Sequence, residues 1–317
     1  MSSLRVRHVE ASSAALAGLS RTALDAAVHE AMLIVGRPTD DAVVLGAYQR
    51  RSELMGHTST KRVFARGSGG GAAEVGPGTL WLQLSLQSPS ALTDATPDNL
   101  LNRYVRPLLR VLTSTLKTPV NYFGRDWVSA RKHPVALVGF AHDSTQGHAL
   151  FEALVAVSTP LSLADRVSYL GKSPTTLERL AGAAMQIRGL ANAVVDAYGA
   201  LADVTHASTE AILPEASETC EVPDEPPWLA TRMEGIGLLG AGPDSKGRFH
   251  VGGEFMASRD AMAQLEARLA TLSENAGTND IERAVEESLG ALGVTTFGLR
   301  TLASLREVIV EARQRQR

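Results

Sequence analysis

The chain has 317 residues, 44% of them hydrophobic and 21% charged, with a formal net charge of −3. That is the balance of a globular protein with apolar mass for one large core or two smaller ones, and without a long basic run nucleic acid is excluded as principal partner. No stretch approaches the ~20 apolar residues that span a bilayer, residues 1–8 lack an apolar signal core, and the lone Cys220, beside Glu218 and Glu221, offers no internal disulfide, so the expectation is a cytoplasmic protein with no membrane partner.

Leu24, Val28, Met32 and Val35 recur at helical spacing and predict an amphipathic helix over 22–36. A buried strand is expected over 42–48, and another over 62–66 that runs into Gly67-Ser68-Gly69-Gly70-Gly71. After the turn Gly76-Pro77-Gly78, residues 79–86 alternate as a strand with Leu80, Leu82, Leu84 and Leu86 on one face. Residues 98–116 predict a helix with Asp98 as N-cap and a stripe of Leu101, Val105, Leu108, Leu109 and Leu112. Strands over 135–141 and 150–157 are joined as a hairpin by the polar turn 143–147, and the Ala-rich stretch 175–202 predicts helix.

Between 213 and 227, Pro214, Pro223, Pro226 and Pro227 alternate with acidic residues, which marks a linker. The expected organisation is a domain over 1–212, a linker over 213–227 and a smaller domain over 228–317. In the latter, strands over 235–239 and 248–255 flank the turn 243–247, followed by helices over 258–273, 279–292 and 300–315. Consecutive strands without intervening helices predict an α+β fold, not a doubly wound sheet.

The segment Arg66-Gly67-Ser68-Gly69-Gly70-Gly71-Ala72 is the most informative. Glycines after a strand present backbone N–H groups with no side chain above them, a surface suited to an anion or a carbonyl. Arg66 adds a charge-assisted donor. Taken alone, the same segment also reads as a Gly-rich hairpin loop.

The order of motifs narrows the choice. Val43-Val44-Leu45-Gly46-Ala47-Tyr48-Gln49 precedes the Gly loop; Gly76-Pro77-Gly78-Thr79-Leu80 and then Gly124-Arg125-Asp126 follow; Gly253-Glu254-Phe255 and Gln264-Leu265-Glu266 lie beyond the linker. In this order the chain resembles the lipoate–protein ligase A family, within the biotin/lipoate ligase superfamily. The resemblance implies a mixed sheet with helices of the biotin/lipoate ligase type and a small C-terminal α/β accessory domain. It implies activation of lipoate or a related acyl acid with ATP and Mg2+ as an acyl adenylate, followed by transfer to a lysine of a lipoyl or similar carrier domain. Arg66, Ser68, Gly69, Gly70, Gly71, Ala72 and Gly139 would then hold the small-molecule acyl ligand and its phosphate, and Asp126 would position the amine or a metal.

The chain also departs from the family pattern. The family supplies a lysine that sits between two anions and stabilises the developing charge; the matching strand 136–141 has Ala136 there, although Gly139 and Ala141 fit. Lys132 restores the lysine if a short insertion is allowed, and Arg125 is the other replacement, so both are catalytic candidates. The family's His-Gly pair reads Phe151-Glu152. These departures open two alternatives to a ligase: a non-catalytic homologue that binds an acyl ligand, a nucleotide or a carrier domain, and a scaffold with a closed pocket.

Other constellations carry less. Gly235-Ile236-Gly237-Leu238-Leu239-Gly240 matches a dinucleotide fingerprint but is followed by turn residues where a helix is needed. His142, Asp143, His148 and Glu152 fit no common zinc spacing, so no metal ligands are assigned. Ser68 and Ser85 have no identifiable His and Asp partners, and Cys220 lies in the linker, outside the domain that holds the nucleophile of cysteine-dependent transferases.

Overall fold

A computed structural model describes residues 3–26, 30–54, 61–161, 163, 169–206, 221–273 and 276–316. Cys220 and part of the acidic linker lie outside the described residues. In chain order the larger body comprises β1 (Ser3–Ala11), α1 (Ser13–Ala26), β2 (Ala31–Pro38), β3 (Ala42–Leu45), β4 (Arg62–Ala65), β5 (Ala73–Val75), β6 (Thr79–Leu86), α2 (Leu100–Leu116), β7 (Val120–Tyr122), β8 (Trp127–Ala130), β9 (His133–His142), β10 (Ala149–Ala156), α3 (Leu177–Ala181), α4 (Ile187–Gly199) and β11 (Asp203–His206). Eight of the strands form one sheet in the order β11-β1-β2-β6-β10-β9-β8-β7. It is parallel across β11, β1 and β2 and antiparallel elsewhere, the mixed α+β architecture that the sequence predicts.

Strand alternation divides the sheet's two faces. One face, with Leu33, Leu82, Leu84, Ala136, Val138 and Phe151, packs against α2 and α4. The other, with Ile34, Trp81, Leu137 and Leu154, packs against α1 and a small sheet of order β4-β3-β5. The Gly loop joins β4 to β5, so the small sheet holds it against the centre of the large one.

The helix expected over 22–36 is two elements. α1 begins at Ser13, where the Ser12 hydroxyl accepts the Ala15 N–H, and 31–38 is β2, paired residue by residue with β1 and β6. A strand buried on both faces reads as a continuous apolar run, and Met32 and Val35 happen to fall at helical spacing within it; Val28 lies outside the described residues. α2 starts at Leu100, after a 3-10 turn (Pro97–Asn99) that contains Asp98, so Asp98 precedes the helix and does not cap it. The stretch 175–202 holds two helices, because Gly182 ends α3 with a φ of 69°.

β8 and β9 meet in a two-residue turn, Arg131 and Lys132, with φ of 48° and 71°. Both residues carry a Cβ into a region that glycine and asparagine enter more readily. Lys132→Gly is expected to stabilise the protein by about 0.5–1 kcal/mol, read as a rise in thermal midpoint. A fall would contradict the turn geometry.

The smaller body contains β12 (Ala230–Met233), β13 (Leu238–Pro243), β14 (Phe249–Gly253), β15 (Met256–Ala257), α5 (Arg259–Thr271), α6 (Thr278–Leu289), β16 (Thr296–Phe297) and α7 (Leu302–Gln316). Its three main helices pack on the β12-β13-β14 sheet around Leu239, Val251, Leu265, Val285 and Ile309. Gly235–Gly240 leads into a β hairpin, not a helix. The hairpin is held by one charged cluster. His250 Nδ1 lies 2.8 Å from Glu266 and Nε2 3.2 Å from Asp244, while Asp244 accepts from the backbone N–H groups of Lys246 and Arg248. The hydrogen bond to Glu266, against the opposing effect of burial, raises the His250 pKa. Burial disfavours the Asp244 carboxylate, but the Arg248 and Lys246 donors and His250 outweigh it and hold its pKa well below the usual range.

The sign follows from those directions. A raised histidine pKa contributes stability that is complete below about pH 6.5 and is lost as the pH rises through the folded-state value. Thermal unfolding from about pH 6 to about pH 9 is therefore expected to show a decline in wild type that His250→Gln does not share. Equal slopes in the two proteins would contradict the cluster's role.

Candidate functional site

The Gly loop lies where the two bodies meet, and its backbone donors are already engaged. Gly67 N–H donates to the Ser20 hydroxyl at 2.6 Å and Ser68 N–H to Glu152 Oε2 at 2.9 Å. Gly69 N–H donates to the Phe140 carbonyl at 3.1 Å and Gly70 N–H to the Phe255 carbonyl at 2.9 Å. Gly71 N–H donates to Asp126 Oδ2 at 3.1 Å. Five successive amides thus meet two carboxylates, two carbonyls and a hydroxyl of the same chain. Buried backbone donors are nearly always paired; here the partners come from α1, the residue before β8, β9, β10 and the smaller body.

Arg66 is directed inward too. Its side chain is 2% exposed, and it donates Nε–H to Ser68 Oγ, one terminal nitrogen to the Gly71 carbonyl and the other to the Gly69 carbonyl, at 2.8–2.9 Å. The guanidinium acts as a brace across its own loop, in a fork geometry that a lysine does not reproduce.

Glu152 organises the centre. It is 1% exposed, and while Oε2 accepts from Ser68, Oε1 accepts Trp81 Nε1–H at 2.8 Å. In the β10 register Glu152 stands opposite Gly139 on one side and Gln83 on the other. A Cβ at Gly139 would lie 2.5 Å from the Gly69 carbonyl oxygen, and one at Gly46 would lie 2.0 Å from that of Gly70. The loop therefore rests on bare backbone at both positions. The space bounded by Arg66, Leu137, Gly139, Glu152 and Leu154 is too small for a water-sized sphere.

The smaller body closes the site from the other side. Besides the Gly70–Phe255 bond, Tyr48 stacks on Phe255 at 5.1 Å, and its carbonyl accepts the Gly253 N–H at 2.8 Å. Asp260 at the start of α5 accepts from the backbone and hydroxyl of both Ser144 and Thr145 at 2.5–3.1 Å. Arg50 is buried under the Trp228 ring, 3.5 Å from its centroid, and donates to the carbonyls of Pro226, Gly242 and Pro243. Beside it, burial lifts the Glu53 carboxyl to about 7 against donors from Arg50, Trp228 and Gln49.

Of the residues singled out in the sequence, Arg66, Ser68, Gly69, Gly70, Gly71, Ala72, Gly139 and Asp126 converge here. Arg125 points to the seam between the bodies and donates to the Gly235 carbonyl at 3.0 Å. Lys132 is an exposed turn residue, about 20 Å or more along β9 from Gly139. Ala136 is buried on the α2 face of β9, whereas Leu137 and Gly139 take the loop face. The His142–His148 segment is spent on structure. His142 Nδ1 lies 3.1 Å from Ser258 Oγ, burial lowers its pKa, and His148 Nδ1 lies 2.8 Å from the Leu24 carbonyl. Among the described residues, no three His, Cys, Asp or Glu side chains form a metal-binding group.

Glu152 had a sequence signal, a lone charge inside the apolar run 149–156. The roles of Trp81 and Ser20 had none, and the Phe255 contact is made by a carbonyl that every residue carries.

A scan against protein-family models finds no match, and a search of curated proteins finds none. Solved structures do match. P. falciparum LipL1 in complex with lipoate superposes with a TM-score of 0.64 at 11% identity, over 96% of this chain and 98% of that one. The fold is that of the lipoate–protein ligases. A bi-partite lipoate–protein ligase from Thermoplasma acidophilum, studied with its E2 lipoyl domain, matches with a TM-score of 0.50 at 14% identity, over 69% of this chain and 91% of that one. A lipoate–protein ligase A bound with ATP matches with a TM-score of 0.50 at 15% identity, over 69% and 92%. In this chain's version of the lipoate–protein ligase fold, the loop amides face protein acceptors. No helix among the described residues is long and apolar enough to cross a membrane.

Proposed function

We propose that this chain is a non-catalytic relative of the lipoate–protein ligases, acting in the cytoplasm as a binding partner of a lipoyl-type carrier domain without forming an acyl adenylate. One observation carries the reading: the loop amides of 67–71 are all taken by the chain's own groups, with the Glu152 and Asp126 carboxylates at Ser68 and Gly71. An incoming carboxylate or phosphate would have to displace a buried anion from its donors, and buried hydrogen bonds to charged groups are the costlier ones to break. The carrier-domain partner is supported by the archaeal structural neighbour described with its E2 lipoyl domain. The division into 1–212, the linker 213–227 and 228–317 belongs to the same reading, with the smaller body as a fixed cover.

The test is incubation with ATP, Mg2+, lipoate or octanoate, and an apo carrier domain. No mass gain on the carrier is expected, together with measurable carrier binding by calorimetry. Mass gain on the carrier overturns the non-catalytic reading, and absence of carrier binding overturns the partner.

The likeness to LipL1 along both bodies favours a second reading, a ligase whose loop opens when ATP and lipoate bind. Arg66, Ser68, Gly69–Gly71, Ala72 and Gly139 would hold the ligand, Asp126 would position the amine or Mg2+, and Arg125 would supply the cation, since Lys132 sits at the far end of β9. Loss of a measured ligase activity in Arg125→Ala, with Lys132→Ala unaffected, selects this reading.

A further inference from the structure

On the face of the large sheet opposite the Gly loop, a groove of ≈ 580 Å³ lies between the first turn of α4 and the ends of β1 and β2. That volume falls within the about 300–1,000 Å³ of small-molecule sites. Its floor is apolar, with Val35 and Leu80 from the sheet, and Ile187 and Ala191 from α4 form a wall. Its rim is polar. Arg37 and His8 stand on the strands, and Arg188 stands on the helix. Glu10 is the acidic residue among the lining, and it already pairs with Arg37. Arg188 is exposed, and no described residue forms an ion pair with it. The positive end of the α4 dipole sits at the same wall and adds to the field.

From this arrangement we infer that the groove binds a small amphipathic organic acid, its apolar body on Val35 and Leu80 and its carboxylate on Arg188. An apolar floor alone would accept any hydrophobe; the Arg188 guanidinium, which pairs with no described carboxylate, selects for the acid and orients it, since planar guanidinium pairs well with carboxylate. The site shares no residue with the Gly loop, so it stands or falls apart from the reading above.

The probe is decanoate, titrated by calorimetry into the full-length protein, with anilinonaphthalene sulfonate fluorescence as a competition readout. Saturable one-to-one binding is expected. Arg188→Glu should weaken it by about tenfold or more. Asn192→Trp, at an exposed α4 position that lines the groove, should abolish it by filling the space while leaving circular dichroism and the thermal midpoint unchanged. Decanol, which lacks the charge, should bind at least about tenfold more weakly than decanoate. No decanoate binding, binding equal for acid and alcohol, or binding indifferent to both substitutions would each overturn the assignment.

Discussion

Glu152→Ala is expected to destabilise the protein by about 3–5 kcal/mol, because it strands two buried donors at once, the Ser68 N–H and the Trp81 indole N–H. Glu152→Gln separates hydrogen bonding from packing. It is nearly isosteric, retains one acceptor oxygen and turns an amide donor toward the other N–H, so about 1–3 kcal/mol should be lost. Equilibrium urea unfolding gives both numbers. If Ala and Gln cost the same and less than about 1 kcal/mol, Glu152 is not the acceptor that holds the loop. A second readout bears on function. With the carboxylate gone, the Ser68 N–H is free for another anion, so Glu152→Ala should gain affinity for pyrophosphate that wild type lacks.

Arg50→Ala is the second large effect. The substitution leaves the carbonyls of Pro226, Gly242 and Pro243 without their donor and removes the cation from the Trp228 face. A loss of about 2–4 kcal/mol is expected, concentrated in the contacts between the two bodies. Hydrogen exchange should therefore rise in β13 and β14 more than in β6 and β10. Burial lowers the Arg50 pKa, with Glu225 and Glu53 opposing, yet the guanidinium remains a cation at any ordinary pH. The defect should accordingly be independent of pH, unlike that of His250→Gln. Arg50→Lys keeps the charge without the planar fork, and an intermediate loss is expected. Uniform exchange across both bodies would refute a clamp at this position.

Much of the architecture can be read from the sequence because its periodicities are local. Leu80 to Leu86 alternate and form a strand; the stripe of Leu101, Val105, Leu108 and Leu112 forms α2; the polar turn 143–147 joins two paired strands. β2 misleads for a physical reason. A central strand buried on both sides has no polar partner positions to reveal its period, so Met32 and Val35 align equally well with a helix. The glycine loop is legible as a place where backbone approaches backbone, but not in what its amides meet. Those partners come from five distant places in the chain, and two of them are main-chain carbonyls, at Phe140 and Phe255. Glu152 lies between these cases. Its charge is visible inside an apolar strand, while its two donors appear only once Trp81 and Ser68 are brought beside it.

The Gly70–Phe255 hydrogen bond has a thermodynamic consequence. It is one bond with an end in each body, so opening of the loop and undocking of the smaller body are linked equilibria, and whatever biases one biases the other by the same free energy. The Gly70 amide proton is thus a reporter at a single atom. Its exchange rate reads how often Phe255 lifts away, in the resting protein and in the presence of any partner that grips either body.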